Sequence, residues 1–529
     1  METLSTDVLV IGSGFGGSAP ALRLSEAGLK VLMIEKGPDF NPRRDVRQTQ
    51  DPQYLLRYIK SDCGDNVNFI YGEGLGGGSG FYEMVSLRAP TKAFEQTMPH
   101  GLPLWPKSIN RGTMDSFYDI AERMMHVTQI RPEEVPRTGL AFAMLMKRLG
   151  YSVDRVPYSV RGCMGHSYCV AGCTAGAKVT VHEPYLQPAL RKGMRLLTGT
   201  EALSVRPIAD LNDEWCHGRD LDRMPFRYEV DCRCRRTGGQ IRIRAKLVIL
   251  GSGTVGTARL LLSSRRFLPE LSEHVGRNIS LNGTVKSLGI LPDDIPDGDM
   301  FRGRSHPGVI SYEFLESRGI TISTAKPLPV DSVSYANLVL EEETRSPSWW
   351  GQAKVDIMKL YRHRAIVLYA LGLSTPTASL SINRRGEVRP AFTIDSSFRE
   401  YYEETKNLLH SMIRRSGGRV VHIRIIDGEG VEYPDLHITT AHMTGSCRMA
   451  DSQRHGVVDA VGEVFNYPGL YVTDGSAIPS SLAVNPYLTI LANAERVGAF
   501  LAAWHSRPRY QMTVGSNSPQ ASKVPSGVK

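Results

Sequence analysis

The sequence predicts an α/β fold with α+β insertions, in which one open sheet is collected from segments far apart in the chain. Three observations predict it. Within the first 35 residues an apolar run, a glycine-rich turn, a helical stretch and a second apolar run follow one another. A similar passage from strand through glycine to helix recurs near residue 250, and another short apolar strand stands near residue 470. Between these pieces lie segments of alternating apolar and polar residues, the pattern of an antiparallel sheet with its own face to bury.

Residues 7–11 (Asp-Val-Leu-Val-Ile) are the first strand, residues 22–27 have helical spacing closed by Gly28, and residues 30–34 are the second strand. Pro20 is tolerated because it falls in the first turns of that helix. Residues 244–250 form a strand that enters Gly251-Ser252-Gly253 and then a helix over 255–262, and residues 470–473 are a further strand. Short right-handed connections make a parallel sheet the natural way to gather them. A Pro-rich entry (Pro90, Pro99, Pro103, Pro106) opens a stretch with an amphipathic helix over 114–125, and residues 378–382 and 420–423 alternate as strands. The domain reading is therefore discontinuous: 1–90, 181–284 and 441–506 for the nucleotide domain, 91–180 and 285–440 for an inserted substrate domain. Residues 507–529, rich in Ser, Pro, Lys and Val without periodicity, read as a disordered tail.

Composition narrows the class. A chain of 529 residues with 41% hydrophobic and 22% charged residues is globular, neither coiled coil nor collagen-like. The formal net charge of +9 rests on short basic stretches such as 232–236 and 263–266, which lack interleaved aromatics, so no nucleic-acid partner is expected. Eight cysteines are too few for a disulfide scaffold and point to a reducing compartment. The N-terminus has no basic region ahead of a cleavable apolar one, and the most apolar stretch, 365–373, is far below the ~20 residues that cross a bilayer. A cytoplasmic protein without a membrane span is the expectation.

Gly12-Ser13-Gly14-Phe15-Gly16-Gly17 matches GxGxxG. Gly12 permits the tight turn, Gly14 lets backbone approach a pyrophosphate, Gly17 allows the helix to lie close, and the helix N-terminus presents free N–H groups to the anion. Glu35, 18 residues past Gly17, ends the second strand where a carboxylate can accept from ribose hydroxyls. An acidic residue there disfavours a 2′-phosphate, which leaves FAD or NAD for a Rossmann-like domain. A second loop, Tyr71 to Ser79 through Gly74, Gly76, Gly77 and Gly78, offers bare backbone and a hydroxyl further along a long cofactor, with Tyr82 just beyond.

The most specific segments are His442-Met443-Thr444-Gly445-Ser446-Cys447-Arg448-Met449, then Tyr471-Val472-Thr473-Asp474-Gly475-Ser476-Ala477-Ile478-Pro479, then Asn485-Pro486-Tyr487-Leu488-Thr489-Ile490. In this order, spanning nearly the whole chain, the motifs resemble the glucose-methanol-choline (GMC) family of FAD-dependent alcohol oxidoreductases. Their wording is most similar to the bacterial cholesterol-oxidase-like subgroup, whose relatives also act on hydroxyls of aminoglycosides and other secondary metabolites. The resemblance implies an FAD-binding domain and an enzyme that oxidises a primary or secondary alcohol to an aldehyde or ketone by hydride transfer to flavin N5.

It also implies roles. Gly12, Ser13, Gly14, Phe15 and Gly17 would hold the pyrophosphate end and Glu35 the adenosine ribose, with Ala202 beside them. Gly77, Gly78, Ser79, Tyr82, Asp474, Gly475, Pro486 and Tyr487 would lie along the flavin half. His442 would face the reactive side of the isoalloxazine as base, and Asn485 matches the asparagine subgroup of the family. An imidazole, with an ordinary pKa of ~6.5, can take the hydroxyl proton, and an amide can donate to the developing alkoxide.

Three points stay open at this level. The same motifs would serve a lyase of the family without net redox chemistry, or a non-catalytic flavoprotein; bleaching of the flavin by an alcohol separates these from an oxidoreductase. Cys163, His166, Cys169 and Cys173 have the spacing of a ferredoxin-type run with histidine in second place, and zinc is formally allowed. The missing proline and missing second run favour a metal-free structural reading. The substrate region holds apolar candidates (Trp349, Trp350, Tyr361, Tyr369) and charged ones (Glu313, Glu316, Glu341, Glu342, Glu343), so a sterol-like compound, an amino sugar or another hydroxylated metabolite remains the expected partner, with oxygen or another acceptor taking the electrons.

Overall fold

A computed structural model describes residues 2–40, 57–98, 100–167, 169–208, 224–299, 303–325, 337–340, 351–424 and 438–505. Trp349, Trp350, Glu341 to Glu343 and the expected tail lie outside these residues. The first sheet contains β1 (Glu2–Ile11), followed by α1 (Phe15–Glu26) and β2 (Val31–Ile34), then β3 (Arg195–Leu197), β4 (Thr200–Pro207), β5 (Tyr228–Cys234) and β6 (Gln240–Leu250). After β6 comes α2 (Gly253–Ser264), and the C-terminal region adds β7 (Leu470–Val472) and α3 (Tyr487–His505).

β1 is flanked in parallel by β2 (Val8 opposite Val31, Ile11 opposite Ile34) and by β6 (Val8 opposite Leu247, Ile11 opposite Leu250). β2 pairs in parallel with β3. Residues 7–11, 31–34 and 245–250 are apolar almost without alternation because helices cover both faces of a central parallel sheet. The expectation of a parallel sheet needs one correction. β5 pairs antiparallel with both β6 and β4, so the sheet is mixed: the tight turn after Cys234 can only return the chain antiparallel. β6 is long enough to pair with β5 through residues 240–245 and with β7 through 248–250.

α1 begins at Phe15, seven residues ahead of the apolar spacing that predicts it, because its first turns are glycines and small residues shaped by what crosses them. Pro20 sits inside the helix and cannot donate to the carbonyl of Gly16. That carbonyl accepts instead from the Thr473 hydroxyl at 2.8 Å. Thr473→Val therefore leaves a buried acceptor without its partner and is expected to destabilise the protein by about 1–3 kcal/mol in urea unfolding. Pro20→Ala, which restores an N–H to the helix, should recover part of that loss in the double variant; additive losses would refute the pairing.

The second sheet is antiparallel throughout, with seven strands in the order Asn337–Leu340, Arg419–Arg424, Val285–Ile290, Ala365–Gly372, Ile320–Ala325, Val309–Ser311 and Asp154–Arg155. The helix Ser396–Arg415 buries Leu409, Met412 and Ile413 against it. Lys286, Tyr369 and Ser323 are cross-strand partners and so form one row on one face. The expected strand 378–382 forms, but pairs with Val388–Phe392 in a separate hairpin rather than joining this sheet. No helix among the described residues is long and apolar enough to cross a membrane.

Candidate functional site

The end of β1 turns at Gly12 (φ +100°) into α1, whose N-cap, Gly14, carries no side-chain cap, so the first amides of the helix are left for a ligand. A Cβ on Gly17 would lie 2.0 Å from the Gly12 carbonyl oxygen, which is the close helix-to-strand approach the motif requires. Glu35 is buried at the end of the second strand. Its Oε2 accepts from the Ser13 N–H (3.0 Å) and hydroxyl (2.6 Å), its Oε1 from the Gly37 N–H (2.8 Å). Burial pushes this carboxyl up, and these three donors oppose the shift. The Ser13 hydroxyl in turn accepts from the Gly76 N–H at 2.9 Å, which joins the first glycine loop to the second. Ala202 stands on β4 two residues beyond Thr200, whose N–H donates to the Glu35 carbonyl at 2.8 Å.

In the second loop Gly77 has φ +54°, and a Cβ there would sit 2.9 Å from Gly14 Cα; the two loops meet backbone to backbone. A Cβ on Gly78 would meet nothing within 4 Å, so an open cradle lies beside bare main chain. Ser79 donates to the Gly76 carbonyl (2.7 Å) and braces the loop from inside. Phe15, Tyr82 and Tyr487 form an aromatic trio with ring centroids 4.9–5.3 Å apart. The Tyr487 hydroxyl is bound by Ser86 and Ser159, and Tyr82 donates to the Val179 carbonyl. Pro486 opens α3 directly ahead of Tyr487, its carbonyl accepting from the Ile490 N–H at 3.0 Å.

The carboxylate of Asp474 is engaged by protein donors. Its Oδ2 accepts from the Gly253 N–H (2.8 Å) and the Thr257 hydroxyl (2.5 Å), and its Oδ1 from the Ser476 N–H (2.8 Å) and hydroxyl (2.5 Å). All its acceptor positions are taken by protein donors. The following Gly475 to Ala477 accept through their carbonyls from the N–H groups of Gly445, Cys447 and Met449. That alternation explains the spacing of the HxxGxCxM segment: every second residue docks on the Asp-Gly-Ser turn.

His442 and Asn485, 43 residues apart, are brought together. Asn485 Nδ2 lies 3.2 Å from His442 Nε2, and the Tyr369 hydroxyl lies 3.1 Å from Nδ1. With the amide donating, Nε2 presents its lone pair, so the proton of a neutral imidazole sits on Nδ1 and is donated to Tyr369. His442 is held from behind by its own N–H on the Thr440 hydroxyl (3.0 Å). Asn485 is held through Asn282, which accepts from the Leu482 and Ala483 N–H groups and donates to the Val484 carbonyl. Another histidine, His306, is buried; it accepts at Nδ1 from the Tyr158 hydroxyl (2.7 Å) and lies 3.2 Å at Nε2 from Ser323 on the sheet face.

Burial lowers both imidazoles, His442 to about 4 with help from the nearby Lys286 ammonium and His306 to about 3 with help from His442. Both are neutral in the folded protein at neutral pH. The unfolded chain takes up protons on these histidines from about pH 6.5 downward while the folded protein does not. Stability is therefore fully present above about pH 6.5 and falls as the pH drops toward 4. A lower urea midpoint at pH 5 than at pH 7 is expected, with a shallower pH dependence in His306→Gln; an unchanged slope in that variant would contradict the assignment.

Sequence reasoning missed Asn282, His306, Lys286 and the role of Tyr369, which it held only as a pocket aromatic. A lone charged residue in an apolar strand (Lys286) and an Asn-Gly turn (Asn282, Gly283) were the available signals. Among the described residues no three His, Cys, Asp or Glu side chains are placed to hold a metal, and Cys163, Cys169 and Cys173 pack against the core.

Two family models, both described as GMC oxidoreductase, match residues 6–283 and 396–494. A cholesterol oxidase of Acinetobacter baumannii is 27% identical over 98% of both chains. A 6'''-hydroxyparomomycin C oxidase of Streptomyces lividus is 26% identical over 94% of this chain and 91% of its own. Among solved structures, pyridoxine 4-oxidase from Mesorbium loti superposes with a TM-score of 0.64 at 16% identity, covering 94% of this chain and 99% of that one.

Proposed function

This chain belongs to the GMC oxidoreductase family, and from that premise we propose that it oxidises a primary or secondary alcohol with His442 as the base and Asn485 as its partner. It is an FAD-dependent oxidoreductase. The residues present fit that cofactor: an uncapped helix N-terminus at Gly14, bare backbone at Gly77 and Gly78 beside an open cradle, and a buried carboxylate at Glu35. Gly12 to Gly17, Glu35 and Ala202 would hold its adenosine and pyrophosphate end, and Gly77, Gly78, Tyr82 and the backbone at Gly475 the remainder. When bound, FAD supplies the acceptor for the carbon-bound hydrogen and its electron pair.

The chain's own work is the proton. Nε2 of His442 carries a lone pair and is only lightly engaged by Asn485, so an alcohol hydroxyl that inserts between them can donate to Nε2 while accepting from the amide. As the carbonyl forms, the proton passes to Nε2, and the amide holds the oxygen that had begun to carry charge. Tyr369 fixes the imidazole by accepting from Nδ1. The single observation that supports this reading best is the contact of His442 with Asn485.

The discontinuous domains, 1–90, 181–284 and 441–506 against 91–180 and 285–440, are proposed as the cofactor and substrate units. The substrate is proposed to be a hydroxylated secondary metabolite, an amino sugar or a sterol-like compound, with oxygen or another acceptor closing the cycle; relatives named for cholesterol and for hydroxyparomomycin support that breadth. Mixing the yellow holoenzyme anaerobically with a panel of such alcohols tests it. Loss of the flavin absorbance with one or more is expected, and a panel that never bleaches it would overturn the reading in favour of a non-redox flavoprotein.

A further inference from the structure

Lys286 is the one exposed residue on Val285–Ile290, a central strand whose other five residues are buried. A side chain there can meet solvent only if a hollow opens above the sheet. The same hollow is marked by Tyr369 and Asn485, each partly exposed between buried neighbours, and by the partly exposed His442 and Glu83. Lys286 pairs in register with Tyr369, and its ammonium stands 5.8 Å from the centroid of the Tyr369 ring, whose hydroxyl bonds His442. Among the described residues it has no carboxylate within ion-pair distance. Lys178, on which Glu83 also acts electrostatically, is tied to the Gly80 and Cys169 carbonyls.

We propose, resting on the alcohol-oxidising reading above, that Lys286 selects the substrate by binding an anionic group, so that the preferred alcohols carry a carboxylate several bonds from the reacting hydroxyl. The separation follows from the geometry: the ammonium stands 5.8 Å from the centroid of the Tyr369 ring, which in turn lies 6.4 Å from that of His442. A compact ammonium is a point charge that suits either a carboxylate or a phosphate. Glu83 acts electrostatically on both Lys286 and Tyr369, so a singly charged group suits the hollow better than a dianion. The surrounding protein also lowers the ammonium's pKa, a cost that a bound anion would relieve. Among the three substrate classes above, a polycationic amino sugar is disfavoured, and an acidic terpenoid or polyketide-like alcohol is favoured.

The test uses holoenzyme and two matched pairs of probes, 4-(hydroxymethyl)benzoate with its methyl ester and 10-hydroxydecanoate with its methyl ester. In at least one pair kcat/KM for the acid is expected to exceed that for the ester by about 10–100-fold, the range of a charge-assisted hydrogen bond. In Lys286→Gln that ratio should fall to about one, and in Lys286→Arg it should largely persist. Binding of 4-methylbenzoate, which has no hydroxyl to oxidise, is read separately from the perturbation of the flavin spectrum and should weaken by a similar factor in Lys286→Gln. Esters oxidised as well as acids by the unaltered enzyme, or an acid preference that survives in Lys286→Gln, would overturn this inference alone. Failure to oxidise any alcohol would overturn the underlying reading, while the 4-methylbenzoate measurement would still decide the role of Lys286.

Discussion

Replacing His442 by alanine is expected to lower kcat/KM for any accepted alcohol by about 10²–10⁴-fold while FAD stays bound. The loss is that of a positioned base. Nε2 carries the lone pair because Asn485 donates to it and Tyr369 accepts from Nδ1, so the variant loses both the proton acceptor and the group that orients the hydroxyl. The imidazole titrates near 4, so the unaltered enzyme should keep the base form down to about that pH in the free state, rather than losing activity near the ~6.5 of an ordinary histidine. Steady-state rates across pH 4–8, with the flavin spectrum as the control for bound cofactor, check both statements. A His442→Ala enzyme within a few-fold of the original rate would remove His442 from the chemistry.

The parts of this site that are legible in the sequence are those whose constraint is local. Gly12 turns the chain at φ +100° and Gly17 lies against the Gly12 carbonyl, so GxGxxG can be read locally, although the distant Gly251 backbone also crowds Gly12. The pairing of His442 with Asn485 is legible only through the family's motif order, since nothing in their spacing of 43 residues requires contact. Tyr369 and Lys286 escape because their place depends on the register of a seven-stranded antiparallel sheet, a non-local property. Strand 378–382 shows the same limit from the other side: its alternation identifies a strand but not its partner, and it pairs with Val388–Phe392 instead of the large sheet. Pro20 reads as a blemish until Thr473, more than 450 positions away, is seen to satisfy the carbonyl it leaves without a donor.

Asp474 is where this non-local bonding carries the largest expected effect on stability. Its carboxylate receives the first amide of α2 at Gly253, the Thr257 hydroxyl one turn later, and both donors of Ser476, while the Thr473 hydroxyl beside it completes α1. The helices α1 and α2 are thus anchored to one buried residue pair that is remote from both in sequence. Asp474→Ala leaves three buried donors and one half-buried donor without an acceptor, a loss on the order of 3–5 kcal/mol, and should yield protein that unfolds at lower urea and releases FAD on gel filtration. Asp474→Asn keeps the shape but turns an N–H₂ toward one of the two donor pairs, so its loss should be intermediate. If the carboxylate instead served the cofactor alone, the apoproteins of Asp474→Ala and the original chain would unfold at the same urea concentration. Comparing the two apoproteins therefore separates an anchor of the fold from a ligand of FAD, and a shared midpoint would overturn the role assigned to Asp474.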